Sequence, residues 1–440
     1  MDILIKIAQL FLCFTILVGI HELGHFLMAR AFKIRVEKFY IFFDPWFSLF
    51  KFKRGDTEYG LGWLPLGGYV KIAGMIDESM DKEQMKQPVK PDEFRAKPAW
   101  QRLLVMVAGV MMNVLLAIVT YCAVCYTWGD SYFSNQDAKW GYNFNPTAHE
   151  MGFRDGDRFV SIDGEEIDNV MRVQNDLLIT DGGRRVIVER GGEPVTLDIP
   201  FESLLRMRQE KAYEDLFTLR LPFIVDSVSY TSAVEAGLES GDEVVAIDDL
   251  RDADYPRYRD YLQKHKNDKV LLTVRRDGAL IDSLALPVDA EGRIGVTVTN
   301  PYSLRTQYYT FWESIPAGIH KAGKTISSYW DQLKLIVQPK TKMYEELGGF
   351  VAIGSIFPSS WDWHDFWLKP AFLSIILAVM NLLPIPGLDG GHALFTLWEI
   401  ITRRKPSEKF LEVAQYVGLM IILALLVYAN GNDIYRFFIK

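Results

Sequence analysis

Cysteine is scarce in this chain: Cys13, Cys122 and Cys125 are the only three in 440 residues, and each lies in an apolar stretch. That scarcity excludes a disulfide framework. Cys122 and Cys125 have CxxC spacing, but within an apolar helix they read as small packing residues. Surplus positive charge is lacking too. The formal net charge is −8, which argues against general nucleic-acid binding. No small-residue cleavage site follows the apolar N-terminus, so a removable signal peptide is the weaker reading there. It would also discard the polar cluster at residues 21–25.

What the chain has instead is segregated apolar sequence. Hydrophobic residues make up 49% and charged ones 24%, an average that suits a soluble globular protein. The average hides four runs. Residues 3–20 are apolar apart from Lys6, Gln9 and Thr15, and residues 103–126 apart from Asn113 and Thr120. Residues 371–400 and 414–429 are similar. Since about 20 residues of helix cross a ~30 Å hydrocarbon core, four transmembrane helices are predicted, at about 3–28, 103–127, 371–400 and 414–430. Arg30, Lys33, Arg35, Lys38, Arg95, Lys97 and Arg102 flank the first connection, and Arg403, Arg404, Lys405 and Lys409 mark the third. The positive-inside rule makes both connections cytoplasmic, and places both termini and the long insert on the periplasmic side.

The insert carries an internal repeat. Gly152, Gly156, Asp157, Val160, Ile162 and Asp163 align without a gap with Gly237, Gly241, Asp242, Val245, Ile247 and Asp248. Each copy reads as a short helix, a Gly-Asp turn and an alternating strand. Such a period is a domain duplication, too long for a solenoid. The pattern resembles tandem PDZ domains, at 130–215 and 216–298. Such domains often bind peptide ends by strand addition. Neither copy shows a clear carboxylate-binding loop, so a pair that merely obstructs access fits as well as one that captures a ligand.

Chemistry concentrates where the first apolar run ends, in "HELGH". His21 and His25 are four residues apart and share one helix face. Glu22 is placed to approach a water without being a ligand. This is the HExxH arrangement, in which two imidazoles hold zinc and the glutamate takes a proton from the water that zinc activates. A polar helix end is the bland alternative, but ionisable groups at membrane depth are costly and usually functional. Catalytic zinc takes three protein ligands and one open position. No further ligand of this type follows nearby, so "NLLPIPGLDGGHALF" (381–395) is the candidate source, with Asp389 in a helix broken by Pro384, Pro386, Gly387, Gly390 and Gly391. Read blandly, Asp-Gly is a turn. His21 and Asp389 nevertheless lie about equally far along two helices that run the same way.

HELGH, the LDGG segment, the four apolar runs and the inserted repeat together resemble the site-2 protease family, most closely its bacterial regulator-of-sigma-E branch, over nearly the whole chain. The resemblance implies one zinc per chain, with His21, His25 and Asp389 as ligands and Glu22 as the catalytic residue. His392 falls in the same motif beside the ligands. It further implies that residues 56–74 form a membrane-re-entrant β-hairpin bent near Pro65, with Gly67, Gly68 and Tyr69 contacting an extended substrate, and that Asn381 positions substrate. Without the resemblance, the hairpin reads as a surface feature and Asn381 as a helix-joining amide. Two departures stand out. "YIFFDPWF" (40–47) replaces the family's usual Gly-aromatic-Gly loop, and Val110 in "AGVMMN" replaces a proline. "FRAKPAWQR" (94–102) matches.

The expected fold is a polytopic α-helical membrane protein with four transmembrane helices and two inserted PDZ domains of α+β, barrel-like type. Its segments are 1–129, 130–215, 216–298, a linker at 299–369 and 370–440. Within the linker, residues 311–337 read as an amphipathic helix at the periplasmic surface, the alternative being a helix packed on the PDZ pair. The expected function is a zinc-dependent endopeptidase of the bacterial inner membrane. By resemblance, its partners are single-pass membrane proteins already trimmed outside the membrane, such as anti-sigma factors in envelope-stress signalling and leftover signal peptides, met in the lipid bilayer. Two other classes compete: a PDZ-bearing membrane scaffold with a structural metal, and an ion transporter. Neither needs Glu22 beside an open-position ligand set.

Overall fold

The computed structural model describes residues 2–64, 67–75, 88–251 and 254–439. Contacts divide the chain into two compact units, Met1–Asp130 with Gln307–Lys440, and Ser131–Thr306.

The first unit is built from α1 (Asp2–Ala31), strands β1 (Val36–Ile41), β2 (Phe43–Arg54), β3 (Thr57–Leu64) and β4 (Tyr69–Ile72), then α2 (Ala99–Trp128), α3 (Phe311–Val337), α4 (Trp363–Leu382), α5 (Asp389–Thr402) and α6 (Glu408–Ile434). Four helices are long and apolar enough to cross a membrane: Asp2–Ala31, Ala99–Trp128, Trp363–Leu382 and Lys409–Phe437. This is a multi-pass membrane protein carrying inserted β-sheet structure.

The third span differs from its expected limits. It begins at Trp363 rather than near 371 and stops at Leu382, and Asp389 opens a separate helix. Pro384 and Pro386 explain the stop, since proline lacks the amide hydrogen and drives the preceding residue out of helical conformation. Leu383 is accordingly extended, at ψ 143°. The chain then folds back so tightly that a Cβ on Gly390 would stand 2.3 Å from the Leu383 carbonyl oxygen, and one on Gly391 2.5 Å from that of Ile385. The two glycines after Asp389 are what let the break close.

Residues 56–74 are not a hairpin. The sheet order is β2-β3-β1-β4, so β1 separates the two strands expected to pair. β3 runs parallel to β1 and β4 antiparallel to it. The true hairpin is β2 with β3, closed at Gly55 (φ 63°) with Arg54 opposite Thr57. Sequence reading missed β1 and β2, and so paired the two halves of 56–74 with each other. Pro65 lies outside the described residues.

The amphipathic helix is α3. Its entry carries a capping box, with Thr310 and Glu313 bonding reciprocally. It packs on α2 so closely that a Cβ on Gly318 would stand 2.5 Å from Cys122 Sγ. Ala322 joins Ala117, Tyr121, Ala371 and Ile375 in one buried cluster. Cys13, Cys122 and Cys125 are free thiols.

The second unit holds two apolar cores, one around Phe144, Phe153 and Phe159 and one around Phe223, Tyr258 and Leu272. Their sheets repeat the same local design. The buried Asp157 takes a two-pronged bond from Arg190 (2.7 and 2.8 Å), whose guanidinium also reaches the Gly152 carbonyl. Asp242 takes the same bond from Arg276 (2.7 and 2.7 Å), which reaches Gly237. Asp163 and Asp248 both sit at positive φ and accept the amides of Arg185 and Leu271. The aligned residues of the repeat thus occupy equivalent places.

Candidate metal centre

The centre is assembled from four helices and one sheet edge. α1 carries His21, Glu22 and His25, and the four-residue spacing stacks the two imidazoles edge-on, with centroids 4.8 Å apart. Asp389 enters from the first turn of α5. Its Oδ2 stands 3.2 Å from His21 Nε2 and 3.3 Å from His25 Nε2, and the two Nε2 atoms are 3.3 Å apart. Among the described residues, one other grouping could hold a metal: Asp362, His364 and Asp365. It lies near the surface at the start of α4, where Asp362 caps the helix by accepting the Asp365 amide.

The buried set fits a metal on its own chemistry. Asp389 Oδ2 is buried and has no hydrogen-bond partner among the described residues. It points at two imidazole nitrogens that act as metal ligands only when unprotonated. Three lone-pair atoms in mutual contact repel unless a cation sits among them. At zinc–ligand bonds of about 2.0–2.2 Å, the atoms around a tetrahedral ion stand about 3.3–3.5 Å apart, close to the spacing found. No fourth protein ligand joins the group among the described residues, which leaves one position open as catalytic zinc requires.

Outer contacts fix the ring orientations. His25 Nδ1 lies 2.8 Å from the Val105 carbonyl on α2, an acceptor that places the proton on Nδ1 and frees Nε2. His21 Nδ1 lies 3.2 Å from the Asn113 side-chain amide, whose Oδ1 is buried and unpartnered. With its Nε2 turned to the ligand set, His21 carries its proton on Nδ1. A half-turn of the Asn113 amide then brings Oδ1 to accept it. Two glycines create the room. A Cβ on Gly24 would stand 2.5 Å from the Ala108 carbonyl oxygen, and one on Gly109 2.4 Å from His25 Nε2 and 2.7 Å from His21 Cε1.

Across its full length the chain has named relatives. The profile of Peptidase family M50 matches residues 9–425. The chain belongs to peptidase family M50. A regulator of sigma E protease from Haemophilus influenzae is 27% identical over 460 residues, covering 99% of this chain and 100% of the relative. Candidate zinc metalloproteases of Clostridium perfringens and Vibrio cholerae are each 29% identical, covering 96% of both chains in the first comparison and 99% in the second. The resemblance to site-2 proteases is borne out, and this M50 chain is a zinc-dependent membrane metalloprotease.

The remaining residues singled out from the M50 sequence fall into two groups. Asn381, in the last turn of α4, lies at the centre, its Nδ2 3.4 Å from His21 Nε2. Gly68 lies where β4 meets α1, with no room for a Cβ between the Tyr40 carbonyl oxygen (2.6 Å) and Val18 (2.7 Å), and Glu22 Cγ 3.4 Å away. The Val70 amide on the same strand faces the Glu22 carboxylate. Gly67 (φ 148°) and Tyr69 lie further from the ligands. The Tyr69 hydroxyl donates to Asp44 (2.9 Å) and its ring stacks on Tyr40. His392 stands one turn beyond Asp389 on α5. The "YIFFDPWF" departure supplies that Asp44, with Phe42 and Trp46 both at positive φ. Sequence reading did not assign Gly24, Val105, Gly109 or Asn113 to the centre. Asn113 had given a signal, as one of two polar residues in its apolar run.

Proposed function

We propose that this M50 chain is an intramembrane endopeptidase that cuts transmembrane segments of single-pass membrane proteins after a first trimming cleavage. One observation carries the reading: the Asp389 oxygen meets His21 and His25 between helices long and apolar enough to span a membrane, with Glu22 beside them and the edge strand β4 against Glu22. A substrate helix hides its scissile carbonyl in its own hydrogen bonds. It must unwind, and the opened strand needs partners. Among the described residues β4 is an edge strand paired with β1 alone, and strand addition along its other side would supply them.

In this reading His21, His25 and Asp389 hold the zinc, which when bound activates water and polarises the scissile carbonyl. Glu22 accepts the proton of the attacking water and returns it to the leaving amine nitrogen. The backbone of β4 keeps the substrate extended with its carbonyl towards the ligands. Asn381 orients the carbonyl from the opposite side. Gly68 lets the strand lie against α1, and Val105 and Asn113 hold the imidazoles in the ligating tautomer.

The basic residues after α1 and α5 favour an inner-membrane topology with those ends cytoplasmic and both termini periplasmic. The repeated Asp-Arg clasps support reading residues 130–215 and 216–298 as a duplicated pair, in this reading PDZ domains on the periplasmic side that exclude substrates with intact periplasmic domains. The substrates favoured by resemblance are anti-sigma factors and signal-peptide remnants. The test is cleavage in liposomes of one single-pass substrate, with its periplasmic domain intact or removed. The trimmed form should be cut and the intact form spared. Equal cleavage of both would refute the trimming requirement.

A further inference from the structure

An open recess with a cavity volume of about 80 Å³ lies just past the end of β4. Gly74 and Met75 form one wall, α5 another through His392, Thr396 and Glu399, and α6 a third through Gln415. Asp389, His392, Thr396 and Glu399 recur at three- and four-residue intervals and share one face of α5. That face of α5 therefore leads from the metal centre towards the recess. It sits where α1 ends and α2 begins.

Its charges are unevenly matched. Arg102 bonds Glu399 at 2.5 Å, and Arg95 bonds the buried Glu93 at 2.7 Å. Lys405 has no ion-pair partner among the described residues, so the uncompensated charge is cationic. A second observation points to a polar occupant. The Gln415 side chain is 9% exposed, borders the recess and hydrogen-bonds to no protein group among the described residues. Its amide atoms remain reachable from the recess and free to donate to a bound group.

We infer that this recess is a specificity subsite that receives an acidic side chain from the substrate's flank beyond the membrane, on the side where α1 ends. The inference rests on the peptidase reading above. A substrate strand laid along β4 with its scissile bond near Val70 reaches Gly74 and Met75 after about four or five residues, at ~3.3 Å each. There its carboxylate accepts from Lys405 Nζ and from the Gln415 amide. The subsite selects against common competitors, because the cytoplasmic flanks of membrane helices are rich in lysine and arginine and Lys405 repels them.

The test uses full-length enzyme in liposomes and a single-pass substrate whose cleavage site is mapped by mass spectrometry. Glu, Gln or Lys is placed in turn three to six residues from the scissile bond on that flank. Wild type should cut the best-placed Glu substrate roughly three- to five-fold faster than its Lys counterpart, read as kcat/KM. Lys405→Glu should reverse the order, and Lys405→Ala should abolish the preference. A Glu:Lys ratio that is the same in wild type, K405E and K405A would overturn the subsite. So would a ratio of one in wild type at every position. Metal-dependent cleavage of the Gln series by wild type secures the peptidase reading on its own. Its absence would count against that reading and remove the basis of the subsite together with it.

Discussion

Gly109 shows how much of the centre depends on an absent atom. A methyl group there would intrude on both imidazoles, 2.4 Å from His25 Nε2. Alanine is the better helix former by about 0.8–1 kcal/mol, so Gly109→Ala should leave the fold intact or firmer while displacing the rings. The expected result is a zinc affinity reduced about 10- to 100-fold with unchanged helix content, measured by chelator competition and circular dichroism. Asn113→Ala should give a similar loss by removing the acceptor for His21 Nδ1, with little change in thermal stability. His21, Glu22 and His25 were legible because helical periodicity alone puts them together, and Asp389 because an acid stood out among apolar residues and prolines. Gly109 and Val105 were not legible. They act across a helix crossing, and Val105 does so through a backbone carbonyl that any residue type would provide.

At the scale of elements, the sheet was the main misreading. Alternation of aromatic residues and glycines marked β structure within 56–74, but alternation says nothing about which strand lies between its two halves. The decisive fact is long-range: Tyr40 of β1 pairs with both Gly60 and Tyr69. Gly68→Ala tests the consequence. With backbone 2.6 Å and Val18 2.7 Å from the new Cβ, β4 must move off α1. Cleavage should fall at least about ten-fold while zinc affinity stays within about two-fold, because the ligands are on other elements. The repeat, by contrast, was legible, since its Gly and Asp positions serve turns and clasps local to each copy.

Three carboxyls held by hydrogen bonds and arginines set a pH dependence for residues 131–306. Burial pushes the Asp155 carboxyl up, but the Phe144 amide, Arg257 and His149 outweigh it and hold the group below its ordinary value. Burial likewise opposes, and the Arg276 bond overcomes, at Asp242. At Asp163 the Arg185 amide and Arg184 do the same. A carboxyl depressed in the folded state stabilises it above the unfolded value of about 3.9, and that contribution disappears as pH falls through the depressed value. The urea midpoint of residues 131–306 should therefore be steady from pH 5 to 7 and fall below about pH 4. A midpoint that rises on acidification would contradict the assignment.

For the whole molecule, the apolar runs revealed four spans because hydrocarbon thickness sets helix length. What they could not reveal was the folded-back turn that ends α4 and starts α5, which brings Asp389 to α1 across most of the sequence. The claim that joins all scales is that His21, His25 and Asp389 hold zinc for Glu22 to work beside. The most direct measurement pairs zinc content with cleavage of a trimmed single-pass substrate, for wild type and Glu22→Gln. Both proteins should carry about one zinc per chain, while only the wild type cleaves and a chelator stops it. Equal cleavage by Glu22→Gln, or zinc retained in full after Asp389→Ala together with His21→Ala, would contradict the account.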